Sequence, residues 1–449
     1  MKGSKKLTEG NVAKQLVFFA LPYLCSCFLQ TLYGIVDLAV VGAYNGKTTT
    51  SAVANGSQVT HMLTVIIAGL VMGVTVRVGQ NMGAGELKKI KKTLGASIRA
   101  FNVFTTIITI VLVVCSYNIV LLVQIPKEAV QETWYYLLIC FIGVPFIVIY
   151  NYISGVFRGM GDSKRPMLFV MVACGINVVL DFALVGGLGL GAVGAALATV
   201  LGQAVSVLIS IIAFLKHPVL GKLKKEDIVK DKEENGFIWK VGIPISMQDG
   251  FIQIAFISIS VIANWRGLDT SAAVGIVEKI IGFLFLVPSA YLAAISAFTA
   301  QNAGAGKIER ARKALAIGIC ITVGWGVICT IFGQMFPEYF VGMFTKDSDV
   351  RMLGAGYFMA YVIDVILASV HFCFSGYFCG NQKAGISFFH NMVSILLIRV
   401  PGAFLAWKLW PKNLYPMGLA APIGSLISAL ICVGFFVYEL KQEKKVRIS

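Results

Sequence analysis

Long apolar stretches separated by short polar turns recur from one end of the chain to the other. Twelve of them cover residues 14–43, 51–80, 94–118, 133–157, 166–186, 190–215, 238–264, 271–301, 313–335, 352–378, 386–408 and 416–438. As helices, each is long enough to cross the ~30 Å of hydrocarbon in a bilayer. Backbone amides and carbonyls find no partners in hydrocarbon, so closed helices are the economical way across. The pattern predicts an all-α integral membrane protein of twelve transmembrane helices. The first run, Val17 to Ala43, lacks a small-residue cleavage site before it ends, so it reads as a span and not as a removable signal peptide.

The apolar pattern repeats. Gln80-Asn81-Met82-Gly83-Ala84-Gly85 returns 221 residues later as Gln301-Asn302-Ala303-Gly304-Ala305-Gly306, and Ser154-Gly155 returns as Ser375-Gly376. Leu21-Pro22 matches Ile243-Pro244 with one residue of drift. Six spans per repeat is an even number, so both halves insert the same way up. Parallel repeats about an axis along the membrane normal are an arrangement that transporters use. We therefore expect two pseudo-symmetric six-helix lobes, residues 1–215 and 238–449, joined by a cytoplasmic linker over 216–237 that carries Lys222-Leu223-Lys224-Lys225-Glu226-Asp227. The glycines of each hexapeptide suit left-handed helix caps, and the basic segments after them suit an interface with anionic lipid.

Composition agrees with this reading and narrows it. Only 13% of the 449 residues are charged, against 57% hydrophobic, and mean hydropathy is +0.81. A soluble domain carries roughly a quarter charged residues. The net charge of +16 is distributed by topology: with the N-terminus inside, cytoplasmic segments hold 28 Lys and Arg and outer loops hold 7. That is the positive-inside bias, not the footprint of a nucleic-acid partner. The cysteines Cys25, Cys27, Cys115, Cys140, Cys174, Cys320, Cys329, Cys373 and Cys432 fall in apolar runs without metal-like spacing, as small core residues do. Gly189-Leu190-Gly191-Ala192-Val193-Gly194 spells a dinucleotide fingerprint, but it lies in an outer turn with no strand before it and no acid about twenty residues on. No cofactor site is expected there.

Five acids fall inside the spans: Asp37, Asp181, Asp249, Glu278 and Asp364. Charge at that depth costs about 3 kcal/mol or more, which makes each a candidate for function. Arg77, Lys279 and Arg399 lie at similar depth or near helix ends, and some acids can pair with them. Tyr33 and Asp37 are four apart in helix 1, as are Asn177 and Asp181 in helix 5, so each pair shares a face. At about 1.5 Å per residue, Asn177, Asp181 and Thr199 of helix 6 all lie roughly 8–15 Å below the outer surface, and Asp37 falls at a similar depth. Two carboxylates, an amide and a hydroxyl at one level form an all-oxygen pocket that suits a hard cation such as Na⁺. Two close carboxylates equally suit a proton carrier, because like charges favour keeping one proton between them.

These residues are where the chain resembles the multidrug and toxic compound extrusion (MATE) transporters, over nearly its whole length. The matching pieces are Val36-Asp37 with Val41-Gly42, Gln80-Asn81-x-Gly-Ala-Gly, Gly155-Val156-Phe157-Arg158-Gly159-Met160-Gly161-Asp162-Ser163-Lys164, Asn177-Val178-Val179-Leu180-Asp181, Gly194-Ala195-Ala196-Leu197-Ala198-Thr199 and Arg399-Val400-Pro401. The resemblance implies an antiporter in the plasma membrane, both termini cytoplasmic, exporting organic cationic or amphipathic compounds in exchange for Na⁺ or H⁺. It implies that Asp37, Asn177, Asp181 and Thr199 bind the cation, with Tyr33 nearby. Asp249, Glu278 and Asp364 are kept as candidates for substrate contact or gating, because Asp249 and Asp364 are displaced from the family's second acidic pair. A monomer among membrane lipids with no cofactor beyond the coupling ion is expected. The alternatives are a flippase for a lipid-linked precursor, from the same superfamily, and a membrane-embedded enzyme. His61, His217, His371 and His390 are scattered, and no hydrolase motif accompanies them.

The charge pattern predicts that cysteines placed at 47, 127 and 412 are labelled by an impermeant thiol reagent from outside intact cells, while cysteines at 91, 225 and 445 are protected. Labelling of position 225 from outside contradicts the orientation.

Overall fold

The computed structural model of the chain describes residues 7–123, 125–220, 223, 227–228, 231–411 and 413–448. Lys222, Lys224, Lys225 and Glu226 of the expected linker, and Lys412, lie outside the described residues. The described elements are helices, with no strand among them. We number them by span: α1 (Val12–Tyr44), α2 (Lys47–Gly83), α3 (Leu87–Leu122), α4 (Val130–Ile142 with Val144–Gly159), α5 (Lys164–Gly187) and α6 (Gly191–Leu215). The second half contributes α7 (Lys232–Asn264), α8 (Leu268–Gly304), α9 (Ile308–Met335), α10 (Ser348–Tyr361 with Asp364–Gly380), α11 (Ala384–Leu409) and α12 (Tyr415–Ile448). Ten are individually long and apolar enough to cross a membrane, and α4 and α10, bent by 47° and 43°, complete the twelve. The spans fall where the hydropathy pattern put them. Only 17% of the most apolar stretch of α3 is buried within the protein.

The repeat is visible in packing as well as in sequence. A Cβ added at Gly159 on α4 would lie 2.6 Å from Thr75 O on α2; one at Gly380 on α10 would lie 2.6 Å from Ser296 O on α8. Gly155 and Gly376, one turn earlier on each helix, are as tightly opposed to α2 and α8. Small residues four apart let two helix backbones touch, and contact of this kind replaces the hydrophobic drive that lipid cannot supply. The hexapeptide after α2 and its copy after α8 cap those helices in the same way. Gly85 and Gly306 take φ of +75° and +69°, and Glu86 N–H and Lys307 N–H reach back to Asn81 O and Asn302 O at 2.9 and 2.8 Å. This is the left-handed cap the glycines predicted.

Contacts divide the chain into two compact units, one of residues 1–7 and 21–246, the other of 8–20 and 247–449. The division differs from the lobes drawn on sequence. Each unit includes the opening turns of the other half's first helix, and the chain changes unit near the prolines inside α1 and α7, Pro22 and Pro244. The reason is polar. In the second unit, Lys307 Nζ donates to Thr8 O at 3.0 Å and Arg310 donates to Gly10 O at 2.7 Å. In the first, Arg77 on α2 grips Glu234 through Nη2–Oε1 at 2.6 Å and Nε–Oε2 at 2.9 Å, and lies 4.6 Å over the Phe237 ring. Thr93 Oγ1 donates to the same carboxylate at 2.8 Å.

Asp231 caps the start of α7: its Oδ1 accepts the Glu234 N–H at 2.9 Å. That backbone donor, and then Lys92 at 2.8 Å, hold the Asp231 carboxyl below the usual carboxylate range. The cap therefore stabilises the fold at neutral pH, and its contribution is lost as pH falls through that lowered value.

Glu234 is 3% exposed and Arg77 18%. Glu234→Ala, which strands the guanidinium, is predicted to cost roughly 3 kcal/mol, read as a lower unfolding temperature in detergent. The Arg77→Ala, Glu234→Ala double variant should lose less than the two single losses combined. Strict additivity contradicts the pairing.

Candidate functional site

The first unit gathers four side chains that sequence spacing had put at one depth. Asn177 and Asp181 share a face of α5, whose helical part ends at Asp181 and passes into a π-helical turn, Phe182–Gly187. Such turns widen a helix and recur at functional sites. The backbone of α6 lies directly on this face: a Cβ at Gly202 would be 3.1 Å from Ala173 O and 3.3 Å from Asn177 Cβ. Three residues before Gly202, Thr199 Oγ1 donates to Asp37 Oδ2 of α1 at 3.4 Å. The Asp181 carboxyl and the Asn177 amide stand against Asp37 on its other sides.

This polar cluster is sealed from bulk water and short of donors. Asp37, Asn177 and Asp181 are 4%, 3% and 0% exposed. Asp37 Oδ1, both Asp181 carboxyl oxygens and the Asn177 side-chain oxygen and nitrogen have no hydrogen-bond partner. Buried polar groups are normally satisfied, so four unpaired oxygens in one buried cluster mark it out. A narrow cleft of ≈ 30 Å³ opens beside them, lined among others by Gln30, Tyr33, Tyr150, Asn177, Thr199 and Gln203. Three of these, Gln30, Tyr150 and Gln203, were not read from the sequence, and no spacing pointed to Tyr150. Gln30 precedes Tyr33 and Asp37 by three and seven residues, and Gln203 follows Thr199 by four, so the signal was helical spacing carried one turn further.

The three acids of the second unit form no cluster like that of the first, although Glu278 and Asp364 both lie near Tyr357 and Tyr361. Among the described residues no three His, Cys, Asp or Glu side chains are grouped so that they could hold a metal ion. Glu278 on α8 accepts from Ser260 Oγ at 3.2 Å, with Oε1 unpaired. Asp249 on α7 is apart from it. Asp364 on α10 is in an ion pair with Arg399 on α11, at 2.9 Å.

The repeat register sharpens the contrast. Shifted by 222 residues in the first helix and 221 further on, Asp37, Asp181 and Thr199 fall on Ile259, Gly402 and Ala420. The second unit has kept the helices and lost this set of oxygens.

The family profile described as MatE matches residues 22–183 and again 244–405, one match in each repeat. Among curated proteins, the chain is 22% identical to "Probable multidrug resistance protein YoeA" of Bacillus subtilis (strain 168), over 99% of this chain and 98% of that one. It is 26% identical to "Probable multidrug resistance protein YpnP" of the same organism, over 98% of each. Among solved structures, "Crystal structure of MATE in complex with MaL6" superposes with a TM-score of 0.92 at 22% identity, covering 99% of this chain and 100% of that one. At that identity the superposition speaks to the fold.

Proposed function

The chain belongs to the MatE family of multidrug and toxic compound extrusion transporters, and we propose that it is a cation-coupled antiporter that exports organic, cationic or amphipathic compounds. It is a multi-pass membrane transporter and not an enzyme. The observation that carries the coupling is the set of unpaired, buried oxygens of Asp37, Asp181 and Asn177, beside Thr199. Likeness to relatives named as multidrug resistance proteins carries the substrate class.

In this reading the four side chains hold the ion. If it is Na⁺, the two carboxylates supply charge, and the Asn177 and Thr199 oxygens complete an all-oxygen shell that suits a hard cation. If it is H⁺, the two carboxylates share it, and Asn177 and Thr199 position them. Either way the site alternates between a net anionic and a partly neutralised state. Tyr33, Asn177 and Thr199 line the adjacent cleft, so the ion changes the charge that a cationic substrate would meet there. Export then follows by alternating access between the two repeats. The protein works as a monomer in the plasma membrane among lipids, with both termini cytoplasmic and no cofactor beyond the coupling ion. No observation favours the flippase reading.

Asp37→Asn and Asp181→Asn are each expected to reduce gradient-driven efflux of a fluorescent cationic dye to the level of cells lacking the protein, with insertion unchanged. Neutralising a buried carboxylate also removes its desolvation cost, so stability need not fall. Asn177→Ala and Thr199→Ala remove neutral oxygens and should weaken apparent ion affinity by roughly tenfold, about 1.4 kcal/mol. Collapsing the Na⁺ and H⁺ gradients separately identifies the ion. Full ion-driven efflux in the Asp37→Asn, Asp181→Asn double variant sinks the proposal.

A further inference from the structure

The second unit contains a buried polar line that the cation site does not use. Asp364 opens the second half of α10, and His371 and Ser375 follow it by seven and eleven residues, on the same face. Arg399 Nη2 donates to Asp364 Oδ2 at 2.9 Å and to Ser425 Oγ of α12 at 2.7 Å. Ser425 also stands against the Asp364 carboxyl. On its other side, Ser425 Oγ is 3.3 Å from His371 Nε2. The His371 ring is 5.5 Å from that of His390 on α11, and His390 Nε2 is 3.0 Å from Ser375 Oγ. Asp364, His390 and Ser425 are 0% exposed and His371 is 4%. Even so, Asp364 Oδ1 and the Nδ1 of both histidines have no hydrogen-bond partner.

The backbone brings these groups together deliberately. Arg399 closes a π-helical turn, Ser394–Arg399, which turns its side chain toward α12. Gly424 makes room for it: a Cβ there would lie 2.7 Å from Arg399 Cγ. The repeat has no counterpart. Shifted back by 221 residues, Asp364, His371, His390 and Ser425 become Gly143, Tyr150, Phe169 and Ala204. An unneeded chain of titratable groups is expensive in a membrane, and the charged ones are functional candidates by default.

We propose that His371, Ser425 and Asp364 form a second proton-binding site, in which a proton taken up at His371 passes to Asp364 and releases Arg399 from its ion pair. The step balances. Protonated His371 gives its Nε2 proton to Ser425 Oγ while the Ser425 hydroxyl proton moves to the Asp364 carboxylate. His371 ends neutral, Asp364 ends as the acid, and the one added positive charge is left on Arg399, which keeps Ser425 Oγ as its acceptor. The proton settles on Asp364 because an imidazolium beside the Arg399 guanidinium would be a like-charge pair. The other titratable groups around the line are His390 on α11, Tyr357 and Tyr361 on the first half of α10 with Glu278 near Tyr357, and Tyr291 on α8 near Cys373. From α9 the facing group is the Thr322 hydroxyl, 3.4 Å from Cys373 Sγ, while Arg312 meets Tyr377 further along α10. Arg399 is the cation nearest to both ends of the proton's path.

The test is infrared difference spectroscopy of the full chain in lipid, titrated from about pH 8 to about pH 5, the range in which histidine changes charge. The expected result is a protonated-carboxyl band that persists in the Asp37→Asn, Asp181→Asn variant, so that it does not come from the first unit, and that disappears in Asp364→Asn. His371→Gln should move its midpoint by roughly one pH unit, and Ser425→Ala by less. Both of those variants keep the Asp364–Arg399 pair, so they carry the test even if Asp364→Asn does not accumulate. A band that ignores His371→Gln and Ser425→Ala, or no band beyond those of Asp37 and Asp181, overturns the proposal and leaves Asp364–Arg399 as a fixed ion pair.

Discussion

Hydrocarbon offers no hydrogen bonds, and the rest of this structure follows from that deficit. The backbone satisfies itself within twelve helical spans. Because lipid is as apolar as leucine, the helices cannot be driven together by burying leucines. They meet instead where glycine lets backbones touch, at Gly155 and Gly159 against α2 and at Gly376 and Gly380 against α8. The same deficit makes every buried polar group conspicuous. Arg77 answers Glu234 and Arg399 answers Asp364, each at under 3 Å. Asp37 and Asp181 have no such cation, and unlike Asp249 and Glu278 they stand against each other, with Asn177 and Thr199 beside them.

The two repeats share a frame and differ in their polar contents. The first unit holds two carboxylates with neutral oxygens about them. The second has Ile259, Gly402 and Ala420 at those positions and builds a different line from Asp364, Arg399, Ser425 and two histidines. Duplication thus conserved the packing contacts, which fix how helices touch, and released the side chains that face each interior to diverge.

Much of this was legible beforehand. Length and hydropathy fix spans because the bilayer sets one thickness, and each of the twelve falls on one helix or bent pair, the helices running up to ten residues past the apolar stretch. The offset of 221 could be read because glycine positions at close contacts tolerate no drift. The first-unit site was legible because helical rise gives depth and spacing by four gives a shared face, as for Asn177 and Asp181. Spacing does not say which face of one helix meets which face of another. Arg77 and Glu234 are 157 residues apart, and nothing local links them, so the exchange of opening turns between units was not foreseen. For the same reason the histidines looked scattered: His371 and His390 lie on different helices whose mutual rotation the sequence leaves open. Asp364 was kept as a candidate for substrate contact or gating, with Arg399 among the cations that some acid could pair with, and which acid it meets became visible only with α11 in place.

The central claim is that Asp37 and Asp181 hold a cation that substrate displaces. The most direct measurement is to add an organic cation to the purified protein and follow release of radioactive sodium and of protons in the same sample. The account predicts that about one of the two kinds of cation leaves for each substrate bound, and that none leaves from the Asp37→Asn, Asp181→Asn variant. Substrate binding with no release of either ion from the unaltered protein would contradict it.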